Sequence, residues 1–370
     1  MRWSWVEVNR IMNLVMLRFP LLLVLLASVP AAYPTSDDGV KPGTFKGAKT
    51  TETPEWFKES FLDFEEDIDE ATANGKRLML YFHQQGCPYC NALIEDNFTQ
   101  TDIHETVRNH LDVVEINMWG DREVVQVGGK SFTEKTLAQA LNVNYTPTLL
   151  FFNESRKVAL RLDGYYPPDE FRKALKYVIE KKDEEMTYAK FVSTLAMAGG
   201  GGELNSEEFF NPPPFDLERV RRSSRPLAVY FERPECISCD ALHNKILADP
   251  PTRELARKFD SVQLDLRADT PVTTPGGEQT TIRDWALDLD VKFAPTVVFF
   301  DSSGQEVIRT EAMFRTFHTQ SVFDYVLSGA YKTQPNFQRY ISERAEHFIE
   351  QGFDVDIWGY RSDHGVDTEN

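Results

Sequence analysis

Four cysteines are the residues in this chain most able to do chemistry, and they form two pairs of one spacing, Cys87-Pro88-Tyr89-Cys90 and Cys236-Ile237-Ser238-Cys239. Cysteine acts as nucleophile or metal ligand only as its thiolate, so the surroundings of each pair decide what it does. Before each pair runs an apolar stretch of strand length, Leu78 to Phe82 and Leu227 to Phe231. After it, Asn91-Ala92-Leu93-Ile94 and Asp240-Ala241-Leu242 read as a continuing helix. The first thiol of each pair therefore stands at a helix N-terminus, facing unpaired N–H groups and the positive end of the macrodipole, both of which favour thiolate. A second cysteine three positions on is close enough to attack a mixed disulfide and release its partner. The chemistry this predicts is thiol–disulfide exchange.

Two other uses of paired cysteines compete with it. As structural staples, neighbouring cysteines close very short loops and constrain the unfolded chain little. Zinc calls for two such pairs roughly 15–20 residues apart, or for histidines at set spacing. Here Cys90 and Cys236 lie far apart in sequence, and none of the seven histidines forms a ligand pair. No metal and no soluble cofactor is expected.

The elements around the pairs also repeat. Thr146-Pro147 precedes the apolar run Thr148 to Phe152, and Ala294-Pro295 precedes Thr296 to Phe300. Each proline follows its first cysteine at the same distance to within one residue, and Gly128-Gly129 and Gly276-Gly277 lie equally far before their prolines. The chain is a tandem duplication. Its 370 residues suffice for two domains, each with a core of its own. The 41% apolar and 26% charged content is that of a globular protein. A net charge of −18 speaks against nucleic acid and anionic membrane surfaces, where basic patches supply affinity.

Along the chain, residues 1–32 read as a signal peptide. Arg10 and Arg18 precede an apolar run from Phe19 that ends in small residues near Ala31 and Ala32, too short for a comfortable span. Met12 offers an alternative start, and an uncleaved anchor an alternative fate. Residues 33–52 read as a flexible lead-in and 53–198 as the first domain. In it, Trp56, Phe57, Phe61, Phe64 and Ile68 recur at helical spacing, strands cover 110–119, 148–152 and 158–162, and residues 120–135 form a polar insert. A Gly- and Pro-rich linker, 199–214, leads to the second domain, 215–353, and an acidic tail, 354–370.

The order helix, strand, Cys-x-x-Cys helix, strand, helix, X-Pro, hairpin, helix resembles the thioredoxin-like superfamily, twice over. The fold implied is α/β, with two tandem thioredoxin-like domains, each a central mixed sheet flanked by helices. The stretches Tyr81 to Cys90 and Val114 to Glu123 are similar to the SoxW-like periplasmic thioredoxins of sulfur-oxidation clusters. The resemblance implies Cys87 and Cys236 as attacking cysteines and Cys90 and Cys239 as resolving ones. It also implies cis peptide bonds at Thr146-Pro147 and Ala294-Pro295, which leave a backbone edge for an extended substrate to pair with. Thr146, Pro147, Ala294, Pro295, Pro88 and Tyr89 are the expected substrate-binding residues. The family's buried carboxylate six positions before the attacking cysteine is replaced by Tyr81 and Tyr230, and its Trp before the motif by Gly86 and Glu235. Water, His83 or Glu232 must then handle the proton.

These readings describe an exported oxidoreductase that exchanges disulfides with client proteins through both sites, as a reductant supplied by a membrane-embedded dithiol donor. A disulfide isomerase, or an oxidase passing its electrons to a membrane oxidase, is the alternative. So is a binding or chaperone module with only the first domain redox-active. Three Asn-x-Ser/Thr sequons, at Asn97, Asn144 and Asn153, favour a bacterial periplasm, since a glycan at Asn144 would block the neighbouring Pro147. Glu235 and Asp240 beside the second pair disfavour its thiolate, so Cys87 is expected to be the more acidic thiol and the more reactive towards clients.

Overall fold

The computed structural model describes residues 41–127, 130–196, 202–218 and 223–362. The proposed signal peptide, Gly128-Gly129, the glycines 199–201 and the end of the acidic tail lie outside them. In the first domain, Arg77–His83 pairs parallel to Leu111–Asn117 and antiparallel to Thr148–Phe152, which pairs antiparallel to Val158–Asp163. The second domain repeats this order with Leu227–Glu232, Asp260–Asp265, Thr296–Phe300 and Glu306–Thr310. Both are mixed four-stranded sheets.

The uninterrupted apolar runs are explained by burial on both faces. Met79, Tyr81, Leu149 and Phe151 point towards the Cys-x-x-Cys helix and the helix Pro168–Ile179. Leu78, Leu80, Phe82, Leu150 and Phe152 point the other way, onto Phe64, Ile68 and Leu137 from the helices Phe64–Ala73 and Glu134–Ala140. The second sheet is sandwiched likewise, between Leu242, Phe317 and Phe323 on one face and Ile282 and Trp285 on the other.

Several elements differ from expectation. The helical spacing from Trp56 does not make a helix before Phe64. Asp63 accepts the Glu66 N–H and starts the helix there, Leu62 before it has a positive φ of 61°, and Phe61 is 95% exposed. Residues 120–135 contain a hairpin, Glu123–Val127 with Lys130–Thr133. Much of the linker is docked onto the second domain. The Asn211 N–H donates to Ser261 O, Phe210 packs on Tyr230 with centroids 4.9 Å apart, and Pro213-Pro214 is cis. The lead-in and the tail meet, because Phe45–Lys46 pairs parallel to Val355–Asp356. Among the described residues no helix is long and apolar enough to cross a membrane.

Candidate active site

Each cysteine pair opens a short helix, Pro88–Ala92 and Ile237–Ala241, that continues as a π-helical turn. Cys87 is the N-cap of the first, and its Sγ accepts the Cys90 N–H at 3.0 Å. Cys236 does the same with the Cys239 N–H at 3.1 Å. Both pairs are closed as disulfides. Thr146-Pro147 and Ala294-Pro295 are cis, as the resemblance implied. The carbonyl before each proline faces the first sulfur of its pair, with Cys87 Sγ 3.5 Å from Thr146 O and Cys236 Sγ 3.4 Å from Ala294 O. A proline at that position donates no N–H, so the strand edge beside the sulfur stays free of a local bond.

The chain belongs to the thioredoxin-like domain family. The family's model matches residues 64–179 and 214–326, one match per cysteine pair. No curated protein matches the chain. Among solved structures it is similar to a thioredoxin-fold protein from Helicobacter pylori, at 13% identity over 34% of this chain and 85% of that one, with a TM-score of 0.30. A thioredoxin from Thermus thermophilus is similar at 26% identity over 31% and 83%, with a TM-score of 0.25. ERdj5 is similar at 11% identity over 68% of this chain and 27% of that one, with a TM-score of 0.22. Two thioredoxin-like domains that each carry a Cys-x-x-Cys make this protein a thiol–disulfide oxidoreductase.

The two sites differ in what surrounds them. Pro88 and Tyr89, expected to face a client, are buried. Tyr89 packs edge-on against His318 at 4.9 Å and Trp358 at 5.2 Å, and its hydroxyl accepts the Arg315 N–H at 2.9 Å. All three partners belong to the second domain and the segment after it. At the second pair the matching residues are open, with Ile237 87% exposed and Ser238 half-buried. The sulfurs themselves do not differ, since Cys87 is 4% and Cys236 3% exposed. What differs is access to the residues beside them. Pro88 stands at the start of its helix, where proline costs no hydrogen bond, but the residues beside the first pair are the less open to a client.

A polar network ties the first site to the second domain. Gln84 Nε2 donates to Thr146 Oγ1 at 3.0 Å and to Gln338 Oε1 at 2.8 Å, and Gln84 Oε1 accepts the Trp119 indole N–H at 2.8 Å. Gln338 in turn donates to Asn144 O at 2.9 Å, and Thr146 Oγ1 lies 3.4 Å from Cys87 Sγ. Sequence reasoning missed Gln84 and Gln338, because a lone glutamine carries no pattern.

Of the candidates for proton handling, His83 lies at its strand end, stacked on Tyr81, with Nε2 3.5 Å from Glu115. Burial lowers its pKa despite that carboxylate. Glu232, at the equivalent position, is fully buried, and His243 Nε2 lies 3.0 and 3.2 Å from its two oxygens. His243 Nδ1 lies 3.0 Å from Glu207, which also pairs with Arg253 at 2.9 Å. Burial works against a charge on His243, but its bonds to Glu232 and Glu207 outweigh it and raise the pKa. Tyr81 and Tyr230 are buried, and among the described residues their hydroxyls have no hydrogen-bond partner. Beside the second pair, Asp240 accepts from Asn205 at 2.9 Å, and Glu235 has a φ of 54° where Gly86 has 78°. Glycine suits that left-handed position and glutamate does not. Among the described residues no group of three or more His, Cys, Asp or Glu is placed to hold a metal ion.

Proposed function

We propose that this protein is an exported, periplasmic reductant of client-protein disulfides, similar in role to the SoxW-like thioredoxins. Its electrons would come from a membrane-embedded dithiol donor. The observation that carries the reading is the repeated geometry at each pair. The first cysteine caps its helix, accepts the N–H of the second, and faces the carbonyl before a cis proline. That arrangement suits a thiolate attacking a disulfide held against the proline edge, with Cys90 or Cys239 resolving the mixed disulfide. Thr146, Pro147, Ala294 and Pro295 are the residues we assign to that edge.

Export rests on the apolar run from Phe19 to Ala32. The Asn97 sequon is consistent with a compartment that does not glycosylate. Its side chain is fully buried, donating to Tyr166 O and accepting from Tyr165 Oη, each at 3.0 Å.

The test is reduction of a model disulfide protein by the reduced chain, by Cys87→Ser and by Cys236→Ser, with the reduction potential of each pair measured alongside. Potentials near −270 mV support a reductant, and values near −120 mV an oxidant. A chain that leaves protein disulfides untouched with both pairs reduced is not the enzyme we propose. The mature N-terminus, sequenced from the exported protein, should begin shortly after Ala31 or Ala32.

A further inference from the structure

The first cysteine pair opens into a cavity between the domains. Its volume is about 360 Å³, within the usual range of small-molecule sites, and Cys87 forms part of its wall. Phe314, Phe317, Ile341 and Ala345 supply its apolar lining from the second domain, while Gln84, Thr146 and Gln338 supply uncharged polar groups. Among the described residues the lining holds no Lys or Arg and a single carboxylate, Glu346. His318 also lines it, and burial pushes its pKa down to about 4, so it brings no positive charge at neutral pH.

A protein disulfide meets two obstacles here. Tyr89 is covered by His318 and Trp358, and Gln338 is bonded to Asn144 O and Gln84 beside the Thr146-Pro147 edge. Neither obstacle applies to a molecule small enough to occupy the cavity. We infer that the first pair exchanges with a small disulfide, uncharged or cationic, that fits this interdomain cavity, while protein disulfides are met at the second pair. This rests on the oxidoreductase reading and names the substrate class of its first site.

The exchange balances without another reagent. The Cys87 thiolate attacks one sulfur of RS–SR, that S–S bond breaks, and RS⁻ leaves and takes up a proton. The Cys90 thiolate then attacks Cys87 Sγ of the mixed disulfide and expels the second RS⁻. Two electrons pass from the protein dithiol to the small disulfide, giving two RSH and the closed Cys87–Cys90 bond. A dithiol donor reopens it.

The test uses the full chain as Cys236→Ser/Cys239→Ser, keeping the first pair, and as Cys87→Ser/Cys90→Ser, keeping the second. Each reduced variant is mixed with bis(2-hydroxyethyl) disulfide, cystamine, dithiodiglycolate or insulin, and thiol loss is followed by alkylation and mass. Rates are divided by those of dithiothreitol with the same probe. The first pair should react at least tenfold faster with the neutral and cationic probes than with the dianion of similar size. With insulin it should be at least tenfold slower than the second pair. Glu346→Lys, an exposed change at the cavity wall, should raise the dianion's rate several-fold and leave the neutral probe's rate alone. Insulin oxidising the first pair as fast as the second, or the dianion reacting fastest, overturns the inference and leaves the oxidoreductase reading intact. Inertness of both pairs to all four probes overturns both.

Discussion

Tyr145 lies edge-on against Phe314 with ring centroids 5.1 Å apart, and Phe293 lies edge-on against Tyr166 at 5.2 Å. Tyr145 and Phe293 each stand two residues before a cis proline, and each is buried in the other domain's core. The domains thus clasp one another through a pseudo-symmetric exchange of aromatic rings, at the same loops that carry the X-Pro edges. An interface of this kind joins the stability of the two domains to the shape of the first site.

Tyr145→Ala removes a buried ring and the hydroxyl that donates to Arg309 O at 2.9 Å. Emptying a large aromatic site costs about 3–5 kcal/mol. Urea unfolding should show a loss of that order, and the reduced Cys87 should alkylate faster as the seam loosens. A variant with native stability and unchanged Cys87 alkylation would mean the seam contributes nothing.

Gly164 tests the same seam by steric means. A Cβ built there falls 2.5 Å from Ala312 Cβ, and its φ of 99° is one that side chains rarely adopt. Gly164→Val should therefore destabilise the chain, with the backbone strain alone worth about 1–3 kcal/mol. Ala312→Gly in the same chain should restore the part due to overlap and leave the part due to φ. A double-mutant cycle with no coupling would place the two residues out of contact.

Much of this was legible locally and little of it across domains. The run Leu78 to Phe82, the cysteine spacing and the duplicated prolines lie within short stretches, so the sheets and both cysteine pairs followed from them. The aromatic clasp did not, because Tyr145 and Phe293 look like ordinary core residues of their own domains. Their repetition two residues before each proline was the available signal. The pairing of Phe45–Lys46 with Val355–Asp356 joins the two ends of the chain and leaves no periodicity to read. The Glu207–His243–Glu232 cluster draws one member from the linker, and His243 replaces an apolar Ile94 in the first copy, so only the structure assembles it.

Two histidines should give the stability curve opposite slopes. His318 has its pKa lowered by burial to about 4 in the folded chain, against roughly 6.5 unfolded. The unfolded chain therefore binds more protons between those values, and stability is lost as pH falls from 6.5 towards 4. Its Nδ1 lies 3.3 Å from the Tyr89 hydroxyl, which accepts the Arg315 N–H. His243 has a raised pKa, so its contribution is complete below about pH 6.5 and is lost as pH rises through the higher folded value. Urea midpoints measured from pH 4 to 9 on His318→Gln and His243→Gln should each flatten one side of the profile. If both substitutions flatten the same side, one of the assignments is wrong.

The last prediction concerns which group takes the resolving thiol's proton at the second pair. Tyr230 stands where the family has a buried carboxylate, but burial, and then Glu232 and Glu207, push its pKa well above the ordinary phenol value. A phenol held protonated in this way does not serve as a base near neutrality. Its hydroxyl has no partner among the described residues, so Tyr230→Phe removes an unmet polar group and should be neutral or stabilising by about 1 kcal/mol. Glu232 sits four residues before Cys236, wholly buried and bonded to His243. Glu232→Gln keeps the shape, removes the charge, and so should shift the pH profile of second-pair exchange, whereas Tyr230→Phe should leave that profile in place. The measurement is the rate of disulfide exchange against pH in Cys87→Ser/Cys90→Ser, with and without each substitution. A profile moved by Tyr230→Phe and indifferent to Glu232→Gln would return the role to the tyrosine position.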